Sequence, residues 1–147
     1  MWFAHVTVAN VVCKNDTFLM VKERDNGKLV INQPAGHLEN NETLLDAVIR
    51  ETLEETQWHI RPLYALGVSQ YRAANGDTYI RHSFVSEALF FDETQSLDSD
   101  IEEVCWMSKQ DILKARDFLR SPMVLNDIQR YHNGAHFDLD QLYFHDN

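Results

Sequence analysis

Three glutamates crowd one short stretch of this chain: Glu51, Glu54 and Glu55, within RETLEETQW at residues 50–58. On a helix, positions i, i+3 and i+4 share a face, so the three carboxylates would project together. Like charges at that spacing repel, and only Arg50 is close enough to relieve them. Glu42 adds a carboxylate just before the stretch. Two arrangements fit. One is a solvated acidic face. The other is a hard divalent cation, since Mg²⁺ takes oxygen ligands, keeps several waters and bridges a few carboxylates to substrate phosphates.

The elements that would position these groups are legible in outline. Leu44, Leu45, Ala47, Val48 and Leu53 follow a 3.6-residue period and predict a helix over about 43–56. Thr43 is its N-cap, with Asp46 as capping-box partner. The loop QPAGHLENNE (33–42) leads into it. Strands are predicted at 4–13, 18–24, 29–32, 59–73, 78–91 and 102–108, with Asn75-Gly76 as a hairpin turn and 92–100 as an acidic loop. Ser108, with Asp111 at the third helical position, opens another helix. Ser121-Pro122 opens the last, over 121–133. Strands, a central helix, more strands and terminal helices make an α/β chain of the α+β layered kind.

The 147 residues suit a single domain, 1–147. The chain is 44% hydrophobic and 24% charged, enough for a packed core. Thirteen basic against 23 acidic side chains give a net charge of −10. That disfavours DNA or an anionic membrane as partner. A small anion carried with a metal remains compatible, because a cation reverses the local field. Cys13 and Cys105 form no CxxC pair, and a reducing cytoplasm is the simpler expectation. The N-terminus alternates like a strand and lacks the basic region of a signal segment. No apolar run approaches the roughly 20 residues of a membrane span. Nothing distinguishes a monomer from a homodimer.

Gly36 lies six residues before Glu42, and Glu42 eight before Arg50. With Arg50-Glu51 and Glu54-Glu55, this resembles the signature of the Nudix hydrolase family. Every position carrying charge, and the loop glycine, matches. Three framework positions depart: Thr52 for an apolar residue, Gln57 for a glycine and Trp58 for a smaller aliphatic. The runs GKLVINQPAGHLENNETL, Arg120-Ser121-Pro122 and DSDIEEVCWMS also resemble a bacterial subgroup acting on nucleoside and thiamine-type pyrophosphates. Ile31 stands where that subgroup suggests a tryptophan.

The resemblance implies a mixed β-sheet sandwiched between helices. It also implies metal-dependent hydrolysis of a small phosphorylated substrate at a phosphoanhydride bond, with Mg²⁺, or alternatively Mn²⁺. Glu51, Glu54 and Glu55 would hold metal with a loop carbonyl at Gly36. Glu51 would alternatively position or deprotonate water. Arg50 would pair with Glu42 or Glu51 and steady the carboxylates. A further acid often comes from a distant loop, and among Asp100, Glu102 and Glu103 strand parity favours Glu102. For the substrate, Arg24 and Arg81 are cations placed to meet phosphate, and His5 and His37 are further contacts. Tyr71 and Tyr79 flank the hairpin and would stack on a ring or simply pair across strands. Competing readings are a non-catalytic nucleotide- or protein-binding domain on the same fold, and a hydrolase of ADP-sugars or dinucleotides. The glutamine at 57 predicts either a positive φ there or a helix continuing past Thr56.

Overall fold

A computed structural model describes all 147 residues. Seven strands and three helices follow the order β1 (His5–Lys14), β2 (Thr17–Asp25), β3 (Lys28–Asn32), β4 (Ala35–His37), α1 (Leu44–Thr56), β5 (Trp58–Arg72), β6 (Thr78–Phe91), β7 (Ile101–Ser108), α2 (Lys109–Lys114) and α3 (Pro122–His132). Short 3₁₀ turns occupy Arg116–Phe118 and Leu139–Gln141. The strands form one mixed sheet in the order β3-β2-β1-β6-β5, with β4 on β1 and β7 on β2. β1 and β6 run parallel; the other pairs are antiparallel. The second edge of β1 is shared: β4 takes Thr7–Ala9 and β2 takes Cys13–Lys14. Beyond that hairpin β2 leaves β1 to pair with β3 and β7, which opens a gap between the two halves of the sheet.

Helices cover both faces, because β1 alternates its side chains between them. Val8 packs with Phe84 and with Ala47 and Val48 of α1. Val11 packs with Phe18, Val85 and with Ile112, Val124 and Ile128 of α2 and α3. Asn10, on the α1 side, is fully buried, and its Nδ2 donates to Thr52 Oγ1 at 2.9 Å. Thr52 Oγ1 donates in turn to the Val48 carbonyl. A hydroxyl replaces the apolar residue at Thr52 because the facing strand position is itself polar.

The caps match the sequence. Thr43 Oγ1 accepts from Asp46 N and Ser108 Oγ from Asp111 N, both closed as capping boxes. Pro122 opens α3 behind Ser121. One element is new: residues 33–42, expected as loop, contain strand β4. α1 stops at Thr56, and Gln57 takes a left-handed φ of 65°, the first of the two alternatives. Its side chain donates to the Gln95 carbonyl at 2.6 Å and its own carbonyl accepts from Asp92 N. Trp58 then packs edge-on to Trp106 and Phe91.

Gln57→Ala keeps the left-handed strain and loses the Gln95 bond, so it is expected to destabilise the fold by about 0.5–1.5 kcal/mol. Gln57→Gly loses the same bond without the strain and should exceed the alanine variant by about 1 kcal/mol. Urea denaturation of the pair isolates the backbone contribution.

Candidate active site

α1 and β4 together build the site. Asn10 N–H donates to the Pro34 carbonyl and Leu38 N–H to the Val6 carbonyl. Even-numbered residues of this segment therefore bond to β1, and odd-numbered ones turn outward toward α1. The outward groups are Ala35, whose N–H donates to Glu55 Oε1 at 2.8 Å, and His37, whose carbonyl accepts from Arg50 Nη2 at 3.1 Å. Gly36, by the same alternation, directs its carbonyl to β1. The same alternation turns the Ala35 carbonyl, rather than that of Gly36, to the side of β4 away from β1. Gly36 serves otherwise: a Cβ there would fall onto the Glu51 carboxylate, so only glycine leaves room for it.

Arg50 organises the acids. Its Nε and Nη2 grip Glu42 at 2.9 and 2.7 Å, and Nη1 reaches Glu51 at 2.9 Å and Glu54 at 3.2 Å. Glu42 also accepts from Glu39 N, and the Arg50 bond holds its pKa below the ordinary carboxylate range. Burial pushes Glu51 up to about 7, against the pull of Arg50. Burial pushes Glu55 up to about 9, opposed by the Ala35 N–H and aided by the charges of Glu51, Glu23 and Asp98. As the side chains stand, no three acids or imidazoles close around one point. Their chemistry nevertheless fits a hard cation: clustered carboxylates, a glycine cradle beside Glu51, and a single guanidinium for Glu51, Glu54 and Glu42.

Two acids and a cation missed in the sequence join this group. Glu23 of β2 is partly buried, which raises its pKa, and it faces Arg120, whose Nη1 lies 3.1 Å from its Oε1. Arg120 also approaches Asp25 at 3.8 Å, and its backbone N–H is held by the Ile31 carbonyl. Asp98 is fixed by its N–H to the Glu54 carbonyl at 3.0 Å. Arg120 and Asp98 each carried one signal, their places in the Arg-Ser-Pro and DSDIEEVCWMS runs; Glu23 carried none.

The other expected residues divide. Glu102 and Arg24 are set apart, paired with each other at 2.6 Å on an exposed surface. Parity failed for Glu102 because the β2–β7 register shifts there: Lys22 faces Glu103 and Glu23 faces Ile101, leaving Glu102 in the bulge. Arg81 is buried against α3, with Nη2 3.3 Å from Asp127 Oδ2. Gln33 and Ser83 bond the same oxygen, and burial pushes the Arg81 pKa down. His5, His37 and Tyr79 do meet: His5 stacks on Tyr79, and its Nδ1 lies 3.1 Å from His37 Nε2. Burial lowers the His37 pKa, with His5 and Arg120 adding to it. Tyr71 stands opposite Tyr79 across β5 and β6.

This architecture and this acidic box are those of the Nudix family. The chain matches the NUDIX domain over residues 4–126 and belongs to that family. It is a hydrolase of the Nudix class. Over 142 residues it is 42% identical to phosphatase NudJ of Shigella boydii, spanning 97% of this chain and 92% of that protein. It is 41% identical to phosphatase NudJ of Escherichia coli K12 over the same shares. The structure of a NUDIX hydrolase from Nitrosomonas europaea superposes with a TM-score of 0.95 at 36% identity, covering 97% of this chain and 98% of that one.

Gly36→Ala should displace Glu51 and cut kcat/KM by at least about 10-fold in a folded protein, the scale seen when a ligand's support is lost. Thermal melting and turnover measured together separate this from misfolding. In the metal-free protein Glu51 and Glu55 keep protons that the unfolded chain releases in the ordinary carboxylate range. The folded state then binds more protons, so stability falls as pH rises from about 5 to about 9. A divalent cation removes that penalty, and added metal should raise Tm more at about pH 8 than at about pH 5.5.

Proposed function

We propose that the chain, acting as one domain, is a Mg²⁺-dependent pyrophosphohydrolase of small nucleoside di- or triphosphates or thiamine-type pyrophosphates. One observation carries the reading: the complete carboxylate face of α1, with Glu51 and Glu54 clamped by Arg50 and Glu55 held by the outward edge of β4. Glu51, Glu54, Glu55 and the Ala35 carbonyl would hold the metal. When bound, that metal neutralises phosphate charge and lowers the pKa of a water. Arg50 and Glu42 keep the carboxylates from separating under their own repulsion. Asp98, pinned to the Glu54 carbonyl, takes the place of Glu102 as the further acid from a distant loop, and we assign to it, rather than to Glu51, the proton of the attacking water. Arg120 and His37 meet the phosphate oxygens. The likeness to phosphatase NudJ supports the substrate range.

The test is turnover of nucleoside di- and triphosphates, thiamine pyrophosphate, ADP-sugars and dinucleotides with Mg²⁺ and with Mn²⁺. Glu54→Gln and Glu55→Gln should each lower kcat by about 100-fold or more on every substrate accepted. Full activity in either variant rules the mechanism out. Asp98→Asn should cost at least about 10-fold, and Glu102→Gln less than about 3-fold, on the scale of general-base losses. The reverse order returns the role to Glu102.

A further inference from the structure

Two residues carry the chain from one half of the sheet to the other. β3 ends at Asn32 beside β2, and β4 begins at Ala35 beside β1, so Gln33 and Pro34 span the gap. Gln33 is 1% exposed, and its Nε2 donates to Asp127 Oδ2 of α3 at 3.0 Å. The same oxygen accepts from Ser83 Oγ of β6 at 2.7 Å and lies 3.3 Å from Arg81 Nη2. Asp127 is itself 1% exposed. No protein group donates to Gln33 Oε1. Burying an amide with half its bonding capacity unmet costs more than burying an apolar side chain of the same size. What the amide supplies here is a fixed direction for the crossing.

That direction matters because the β1–β4 ladder ends on a weak rung. Pro34 accepts from Asn10 N at 2.9 Å and, lacking an N–H, cannot return the bond. The peptide unit joining Pro34 to Ala35 therefore hangs on β1 by its carbonyl alone. Its other end is the Ala35 N–H, which donates to Glu55 Oε1 at 2.8 Å. A peptide held at one point can swing about that point, and its free end would take Glu55 with it. The Gln33 bond to Asp127, one residue before Pro34, is the next fixed point on the chain and stops the swing. Asp127 belongs to the helix on the far face of the sheet, where Val124 and Ile128 pack with Val11. The hold thus reaches the carboxylates from outside the family signature.

We propose that Gln33, held by Asp127, is a positioning residue for the α1 carboxylates: it sets the plane of the peptide before Ala35, and through the Ala35 N–H the place of Glu55. Gln33 touches neither metal nor substrate in this role. The role rests on the function proposed above, since it requires a metal at these carboxylates.

The experiment measures Mn²⁺ affinity of the substrate-free protein by electron paramagnetic resonance, with Tm alongside, in the wild type, Gln33→Met and Ser83→Ala. Gln33→Met keeps the size of the side chain and removes the donor, leaving Arg81 and Asp127 paired. Ser83→Ala removes another donor from the same Asp127 oxygen, but on β6 rather than on the crossing. Gln33→Met should weaken Mn²⁺ binding about 10-fold, the scale on which support of a metal ligand is lost. Ser83→Ala should lower Tm and leave Mn²⁺ affinity within about 2-fold of the wild type. The proposal is overturned if Gln33→Met binds Mn²⁺ within about 2-fold of the wild type, or if Ser83→Ala loses as much affinity as Gln33→Met. Gln33→Leu carries the same test if Gln33→Met does not fold. If neither folds while Ser83→Ala does, the bond holds the fold and not the site, which also overturns the proposal. A wild type that binds no Mn²⁺ defeats the proposed function itself and is distinct from each of these results.

Discussion

Carboxylates placed on one helical face repel one another, and the site depends on how that repulsion is contained. Arg50 contains it. Its guanidinium bonds Glu42 before the helix, Glu51 and Glu54 on it, and the His37 carbonyl on β4. One planar fork thus ties loop, helix and strand edge together. A lysine carries the same charge but presents a point rather than a fork, and could not hold these directions at once. The orientation of α1 against β4 follows from this hub, and so does the direction in which Glu51 and Glu55 present their oxygens.

The second constraint is the alternation of a three-residue strand. β4 spends half its backbone on β1 and offers the other half to α1. Its middle residue must be glycine because the Glu51 carboxylate occupies the space a methyl would need. Burial then raises Glu51 and Glu55 well above ordinary carboxylates. That burial is unfavourable by itself, and the packing beneath it offsets the cost. Val8, Phe84, Ala47 and Val48 are all essentially buried under the same helix, and a buried valine or phenylalanine contributes about 1.5–3 kcal/mol. The fold invests apolar contact on one side of α1 to hold charge on the other.

What could be read in the sequence was what is local or periodic. The helix, its Thr43 cap, the acidic triad and the Asn75-Gly76 hairpin all announce themselves within a few residues. What could not be read was made by distance or irregularity. Glu23 meets Arg120 across 97 positions, and Arg81 of β6 meets Asp127 of α3. Asp98 comes to α1 through a backbone bond that no side chain advertises. Strand β4 is too short for a period, and its glycine and proline look like loop residues. A bulge at Glu102 breaks the parity on which its assignment rested. Its pairing with Arg24 spans 78 positions.

The three departures from the family signature show how such a site tolerates change. Thr52 is met by Asn10 on the facing strand, so a buried hydroxyl has a donor. Gln57 accepts a left-handed backbone, and its amide is tied to Gln95 in the acidic loop. Trp58 is large, and Trp106 and Phe91 are arranged to receive it. Each compensation lies outside the signature, on an element that packs against it. None touches the carboxylates, Arg50 or Gly36. Framework positions of the box answer to the packing around them and can drift with it. Glu42, Glu51 and Glu54 answer to one another through Arg50, so changing any one of them leaves the remaining charges unbalanced.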